Sequence, residues 1–203
     1  MQAGGTPYLE EQAVFSSLTN RPPQSLASLT VIEPGDYPRT IWFPGGGMVI
    51  VLTSYDPEFR EVQRFHELFH AMLPPNTLDF QVEGLATKYA EVMFARYRWP
   101  WANPQSYFDS VPYSAHSTAL YLVNDLMAAT SERAVWSMVR FVQDDSYGGY
   151  INIDAWLLSL GNKQAAACAV LQRYHKNTLV YEAIRTINDA GHTMQFAVPT
   201  VCS

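Results

Sequence analysis

Charged residues are scarce in this chain: they make up 16% of its 203 residues, and acidic side chains outnumber basic ones. The net charge of −6 argues against a nucleic acid or an anionic membrane surface as partner. No apolar run of about 18 residues occurs, so a transmembrane helix is not expected. The N-terminus lacks the basic and apolar regions of a signal peptide, so any export signal would lie outside this chain.

Cysteine is also rare, with only Cys168 and Cys202 present. They show no Cys-x-x-Cys or Cys/His spacing, so neither is assigned to a metal. A disulfide that pins the C-terminal tail and a pair of free thiols are equally compatible with the sequence. If the two cysteines are paired, a secreted or periplasmic location is slightly favoured, and otherwise the compartment stays open.

The N-terminal third predicts an arm followed by a small sheet. Residues 1–28 have no sustained periodicity and are interrupted by prolines, which indicates an arm with a short helix near Glu10–Leu18. Short runs rich in β-branched and aromatic residues then predict three strands within residues 29–53: Leu29–Glu33, Thr40–Phe43 and Met48–Thr53.

The remainder is expected to be helical. Helical spacing over residues 117–143 and 154–190 predicts a helical half spanning about 105–190, with a loop over 144–150. The tail, Met194–Val198, is expected to add one strand. Length and pattern together predict an α+β, mostly helical chain whose residues 29–203 form a single domain.

The segment with the clearest chemical meaning is His66-Glu67-Leu68-Phe69-His70, a His-Glu-x-x-His pattern. On a helix, this spacing puts both imidazoles on one face, where they can bind one zinc ion. Glu67 lies about 100° around the axis, so it is better placed to take a proton from water than to bind the metal. Because short patterns also arise by chance, the motif alone is a hypothesis.

Two helices are predicted around this motif, over residues 57–97. Asp56 and Pro57 form a typical helix start, and Pro74-Pro75 ends the first helix. Asp79 is then expected to cap a second helix that runs to about Tyr97. The short connection predicts that the two helices lie antiparallel.

The second helix offers Glu83 and Glu91 as candidates for a third ligand. If residues are counted outward from the turn at Pro74-Pro75, the positions of the second helix that lie opposite the two histidines fall near residues 81–85, which include Glu83. Glu91 lies roughly 9–12 Å farther along, too far for a Zn–O bond of about 2 Å. Glu83 is therefore the predicted ligand, and Glu91 is expected to form an ion pair with Arg60 or Arg64.

The segment Glu83-Gly84-Leu85-Ala86-Thr87 resembles the Asn-Glu-Gly-Phe-Ala segment of the aminopeptidase N family and related gluzincin zinc peptidases. The resemblance implies a zincin-like metallopeptidase domain in which His66, His70 and Glu83 hold Zn2+. Val82 stands where the family has Asn, and the connection to His70 is shorter than in the family. Thr87, one turn after Glu83, is a candidate for orienting one of the histidines.

Residues Ser110–His116 are similar to the family's Val-x-Tyr-x-Lys-Gly segment, although Ala115 and His116 replace the Lys-Gly pair. The resemblance implies that the Tyr113 hydroxyl stabilises the oxyanion of the reaction. His116 is an alternative for the same electrophilic role, which a histidine has in thermolysin-like enzymes. Both residues are equally open to a structural role at a helix start.

Gly46-Gly47-Met48 resembles the start of the family's Gly-x-Met-Glu-Asn strand, which runs along the substrate. This implies that the strand beginning at Met48 pairs with an extended peptide, while a simple glycine-rich hairpin turn is the alternative. Val49 and Ile50 replace the Glu and Asn of the family. The missing amine-binding carboxylate favours an endopeptidase over an aminopeptidase.

These patterns predict a zinc-dependent peptidase of restricted specificity, acting on a peptide or protein with Glu67 as the base. The alternative is a zinc-binding protein-interaction module or regulator with little proteolytic activity. Glu67 argues against that alternative, because a structural zinc site has no use for a base beside the metal.

Overall fold

The computed structural model describes residues 8–32, 38–53, 56–75, 77, 79–101, 106, 114–145, 148–189 and 194–202. A small mixed sheet near the N-terminus precedes a mostly helical remainder, which confirms the predicted α+β class. The elements in chain order are α1 (Leu9–Thr19), β1 (Leu29–Ile32), β2 (Arg39–Trp42), β3 (Met48–Val51), α2 (Pro57–Ala71), α3 (Phe80–Arg96), α4 (Ser114–Ala129), α5 (Glu132–Trp136), a 3₁₀ helix (Ser137–Phe141), β4 (Val142–Asp145), β5 (Gly148–Ile151), α6 (Ile153–Ser159), a 3₁₀ turn (Gly161–Lys163), α7 (Gln164–His175) and α8 (Thr178–Asp189).

The three predicted strands form one sheet, but in the order β1-β3-β2. β3 pairs in parallel with β1 and antiparallel with β2, so both of its edges are occupied. The prediction that the strand beginning at Met48 pairs with a peptide is therefore wrong. Gly45 and Gly46 have φ of 99° and 89°, values that favour glycine, in the turn between β2 and β3. The glycine-rich segment is thus a hairpin turn, as the alternative interpretation held.

The short helix expected near Glu10–Leu18 is present as α1. Its Phe15 side chain is fully buried and packs against Phe69 of α2, with ring centroids 5.4 Å apart. The Tyr89 hydroxyl of α3 donates a hydrogen bond of 2.7 Å to the Glu11 carbonyl. α1 therefore contacts both helices of the predicted motif hairpin and contributes to the core.

α2 begins as its sequence predicts. The Asp56 carboxylate accepts hydrogen bonds from the backbone N–H groups of Glu58 and Phe59, at 2.9 and 3.4 Å. Pro57 occupies the first helical position, where its missing N–H leaves no donor unsatisfied. An apolar stripe along α2 is fully buried and fixes the rotation of the helix about its axis; its members are Val62, Phe65 and Phe69.

α3 begins directly after Asp79, but the Asp79 side chain does not cap it. Its carboxylate instead accepts from the backbone N–H of Ile151 at 2.5 Å and from Gln195 Nε2 at 3.1 Å. The predicted capping role is wrong because two partners distant in the sequence compete for the same oxygens. Asp79 thus joins the start of α3 to β5 and to the C-terminal residues.

We call residues 194–202 the C-terminal strap. Gln195 O accepts from the Phe80 N–H at 2.7 Å, and the Gln81 amide exchanges two hydrogen bonds with the Ala197 backbone, at 2.9 and 3.1 Å. Instead of the predicted strand, the described residues form a single β-bridge between Asp79 and Gln195. The strap therefore holds the first turn of α3.

Cys168 on α7 is disulfide-bonded to Cys202 of the strap, with Cα atoms 5.3 Å apart. The structure thus selects the disulfide from the two alternatives that the sequence left open. The Asp154 carboxylate accepts from the N–H groups of Thr200 and Val201, at 2.8 and 3.2 Å. Covalent and polar contacts together fix the far end of the strap.

Replacing both cysteines by alanine is expected to lower the free energy of unfolding by about 2–4 kcal/mol, because the disulfide closes a loop of 34 residues. Urea denaturation of the wild type and the Cys168→Ala/Cys202→Ala variant measures the difference. Reductant should destabilise the wild type and leave the variant unchanged. Equal unfolding midpoints for the two proteins would show that the bond contributes nothing to stability.

β4 and β5 pair as antiparallel strands, although 144–150 were predicted to be a loop. The helical stretch predicted over 117–143 is also interrupted after α4. The Gly149 N–H donates to the Pro75 carbonyl at 2.9 Å, and a Cβ at Gly149 would lie 2.0 Å from Thr77 Oγ1. The strand pair therefore packs tightly against the connection between α2 and α3, which helps to set the geometry of the helix pair.

Within the part of the chain that the structure describes, no helix is both long enough and apolar enough to cross a membrane. This agrees with the sequence prediction that no transmembrane helix is present.

Candidate metal and catalytic centre

α2 carries His66, Glu67 and His70 within its last two turns. Their relative exposures are 5%, 6% and 7%, so each side chain is buried yet retains some contact with solvent. The i, i+4 spacing brings the Nε2 atoms of the two histidines to 3.2 Å from each other. The two imidazoles thus converge on one point, as the motif predicts.

α3 brings Glu83 to the same point. His66 Nε2 lies 3.1 Å from Glu83 Oε2, and His70 Nε2 lies 3.2 Å from Glu83 Oε1. The structure therefore brings together the three residues that the sequence predicts as ligands. Glu91, the excluded alternative, pairs with Lys88 at 2.8 Å on its own helix instead of with the predicted arginines. Arg64 pairs with Glu61 and Glu11.

The position of Glu83 depends on the close approach of α3 and α4. A Cβ added at Gly84 would lie 2.2 Å from the Ala119 carbonyl oxygen and 2.7 Å from Val123 Cγ2. Only glycine allows the two helix backbones to come this close. Glu83 is thus a candidate ligand, and the adjacent Gly84 allows the helix contact that positions it.

The donor set fits a divalent zinc ion by its chemistry and its spacing. Imidazole nitrogen and carboxylate oxygen are ordinary zinc ligands, and metal–ligand distances of about 2.0–2.1 Å in a tetrahedron put neighbouring ligand atoms about 3.3 Å apart. The separations here are 3.1–3.2 Å. Little rearrangement is needed for the three side chains to hold one ion.

Thr87 fixes the tautomer of His66. Its hydroxyl donates to the Glu83 carbonyl at 2.9 Å and lies 3.3 Å from His66 Nδ1. Because a carbonyl oxygen only accepts, the Thr87 proton is used there, and its oxygen is left to accept from the Nδ1–H of His66. The Nε2 lone pair of neutral His66 then faces the Glu83 carboxylate, which is also an acceptor. Two acceptors that face each other repel, and a cation between them would stabilise both.

Electrostatics favours a metal ion over a proton at His66. Burial lowers the pKa of His66, which disfavours the imidazolium form. Burial alone would raise the pKa of Glu83, but the neighbouring His70 and His66, in their protonated forms, lower it well below its usual value. Glu83 is therefore a carboxylate, and a buried carboxylate is stabilised by a nearby cation.

The side chain of Glu67 is positioned by a strand of the sheet and not by the candidate ligands. Thr40 Oγ1 of β2 lies 2.8 Å from Glu67 Oε2 and 2.9 Å from the Glu67 carbonyl oxygen. Burial raises the pKa of Glu67, against the opposing effects of His70 and Thr40. A carboxylate with a raised pKa beside a cation site is suited to accept and return a proton near neutral pH.

His116, in the first turn of α4, belongs to the same cluster. Its Nε2 lies 3.6 Å from Glu83 Oε2, and its ring stands edge-on to that of His66, with centroids 5.1 Å apart. Burial, together with His66, lowers the pKa of His116 to about 4, so the imidazole is neutral at pH 7. Tyr113, the other residue predicted in this segment, lies outside the described residues.

Sequence reasoning missed Thr40, since a threonine in a predicted strand carries no chemical signal of its own. Only the packing of β2 against α2 makes it a partner of Glu67. His175 and His192 lie outside any ligand spacing, and the sequence predicts ordinary polar positions for both. The His175 ring packs on Phe196, with centroids 5.6 Å apart, and His192 lies outside the described residues.

The arrangement has three donor atoms that can bind a divalent cation and a fourth group, Glu67, that can take a proton from water. A third imidazole stands beside the donors. No protein-family model, no curated protein and no solved structure matches this chain.

Proposed function

We propose that this chain is a zinc-dependent peptidase of the gluzincin type, with a zincin-like catalytic domain. One observation carries the proposal: His66, His70 and Glu83 converge at 3.1–3.2 Å while Glu67 stays outside the triangle, held by Thr40. The resemblance of the Glu83-Gly84 segment to gluzincin peptidases supports the same reaction class.

His66, His70 and Glu83 would hold the zinc ion, and Thr87 would keep His66 in the tautomer that binds it. Zinc in such a site lowers the pKa of water toward 7 and polarises a carbonyl group. Glu67 takes a proton from the attacking water and returns it to the leaving amine, so one carboxylate serves as base and then as acid. By the resemblance, the Tyr113 hydroxyl donates to the developing oxyanion.

The substrate would be an extended peptide segment of a protein. Among the described residues β2 pairs with β3 alone, so its other edge can form backbone hydrogen bonds with a peptide strand. β2 also carries Thr40, which contacts Glu67, so a peptide along this edge would pass the base. β2 itself, Arg39–Trp42, carries no carboxylate that could bind the free amine of a peptide, which favours an endopeptidase.

A second candidate function is a zinc-binding interaction module or regulator with little proteolytic activity. His116 favours it, because a third imidazole beside Glu83 offers a fourth protein ligand, as structural zinc sites have. Glu67 favours the peptidase, since a closed structural site does not use a base. For either function, the Cys168–Cys202 bond favours an oxidising compartment, secreted or periplasmic.

Metal analysis of the purified protein tests the proposal first. We expect one zinc per chain in the wild type and in Glu91→Ala, and loss of zinc in Glu83→Ala. The two variants remove the same group from the same helix, but Glu91 pairs with Lys88 away from the cluster. Equal zinc content in all three proteins would remove Glu83 from the ligand set.

Hydrolysis of a mixed peptide library, read by mass spectrometry, tests the reaction. Cleavage should stop when 1,10-phenanthroline removes the metal and return when zinc is added. Cleavage that is indifferent to the chelator would contradict the peptidase mechanism. Bound zinc with no cleavage of any peptide would favour the interaction module.

A further inference from the structure

Three imidazoles surround the Glu83 carboxylate. His70 contacts Oε1, while His66 and His116 approach Oε2, at 3.1 and 3.6 Å. One ligand atom from each of His66, Glu83 and His116 lies within 4.8 Å of the others. The cluster therefore contains more donors than the three that an open catalytic zinc site uses.

We propose that His116 is a fourth protein ligand that closes the zinc site in the resting protein and leaves it when a substrate group binds. The inference rests on the proposed zinc site and adds a form of regulation to it. With His116 bound, three imidazole nitrogens and one carboxylate oxygen would give the ion the four ligands of a closed tetrahedral site, which leaves no position for water. The resting protein would then be latent, with the attacking water admitted only after His116 has moved away.

The fold makes His116 the ligand that is easiest to displace. His66 lies inside α2, and the end of α2 that carries His70 is continued by the Met72 and Leu73 N–H groups, which donate to the Leu68 and His70 carbonyls. The first turn of α3, which carries Glu83, is held by the C-terminal strap. His116 is the third residue of α4, and the ends of helices open more readily than their interiors. Its contact with Glu83 is also the longest of the three, at 3.6 Å against 3.1 and 3.2 Å.

Displacement would account for two features that otherwise disagree. A closed four-ligand site has no use for Glu67 as a base, whereas in an open three-ligand site His116 would act on the oxyanion and not on the metal. A site that alternates between the two states uses both. An approaching substrate would displace the His116 nitrogen, and water would take the vacated position. The substrate oxygen would then add as a fifth ligand, a number that catalytic zinc sites allow, and the freed His116 imidazole would face the substrate.

X-ray absorption of the zinc-loaded wild-type protein counts the imidazole ligands without any substitution. We expect three imidazoles in the resting protein and two after addition of acetohydroxamate, a small chelating group that mimics a bound substrate. A count of two in the resting protein would overturn the inference. A count that stays at three with acetohydroxamate bound to the ion would overturn the displacement.

Competition titrations with a zinc chelator provide the second measurement. His116→Ala and His116→Gln should each weaken zinc binding by about tenfold or more, while His175→Ala on α7 should leave it unchanged. Unchanged affinity in both His116 variants would exclude His116 as a ligand. Three imidazoles in a wild type that cleaves no peptide would leave this inference standing and reject the peptidase, whereas a wild type that binds no zinc would reject both.

Discussion

Glu67→Gln is expected to keep a full complement of zinc and to lose peptide hydrolysis by about 10²–10⁴-fold in kcat. The amide has the size of the carboxylate and can still accept the Thr40 hydrogen bond, so the packing around it should persist. It cannot take a proton from water, so only the chemical step should fail. The zinc site should survive because Glu67 is not among the converging donors.

Zinc content and kcat, measured on the same preparation, separate the two effects. Glu61→Gln is the matched control: it makes the same change on the same helix, at a residue that pairs with Arg64 away from the cluster. This variant should keep activity within about twofold, since Arg64 retains its ion pair with Glu11. Full turnover by Glu67→Gln would exclude Glu67 as the base.

Gly84→Ala is expected to lower the free energy of unfolding by about 3 kcal/mol or more. Alanine has the higher helix propensity, a gain of about 1 kcal/mol. The added Cβ, however, would lie 2.2 Å from the Ala119 carbonyl oxygen, and a backbone atom cannot move aside as a flexible side chain can. α3 and α4 must separate, and Glu83, the adjacent residue, moves with α3.

Urea denaturation and zinc titration measure both consequences, and zinc affinity should fall along with stability. Gly47→Ala is the control, because its Cβ would meet only Phe43 side-chain atoms, at 3.8 and 3.9 Å, which is ordinary contact. That substitution should change stability by less than about 1 kcal/mol. A Gly84→Ala protein as stable as Gly47→Ala would mean that the helices do not approach this closely.

Features that depend on local sequence were predicted well. The start of α2 follows from Asp56 and Pro57, and its rotation follows from the apolar stripe, so the direction of both histidines could be foreseen. Glu83 could be selected from Glu91 because a short connection forces two helices to lie antiparallel, and counting residues then gives the pairing.

Features that depend on distant partners were not predicted. The residue pattern of a short strand does not show whether it lies at the edge or in the centre of a sheet. The central position of β3 therefore could not be predicted from its residues. Asp79 has the sequence of a helix cap, but Ile151 and Gln195 take its carboxylate. Thr40 enters the cluster only because β2 packs against α2.

Because of the C-terminal strap, the candidate metal site is completed only after the helices that carry its side chains have been synthesised. Chains are made from the N-terminus, so all the converging side chains leave the ribosome long before the strap that holds the first turn of α3. Until residues 194–202 have emerged and Cys202 has met Cys168, Glu83 sits on a helix whose first turn lacks these contacts. A nascent chain that lacks residues 194–202 should therefore bind a metal ion more weakly than the folded chain with its disulfide does.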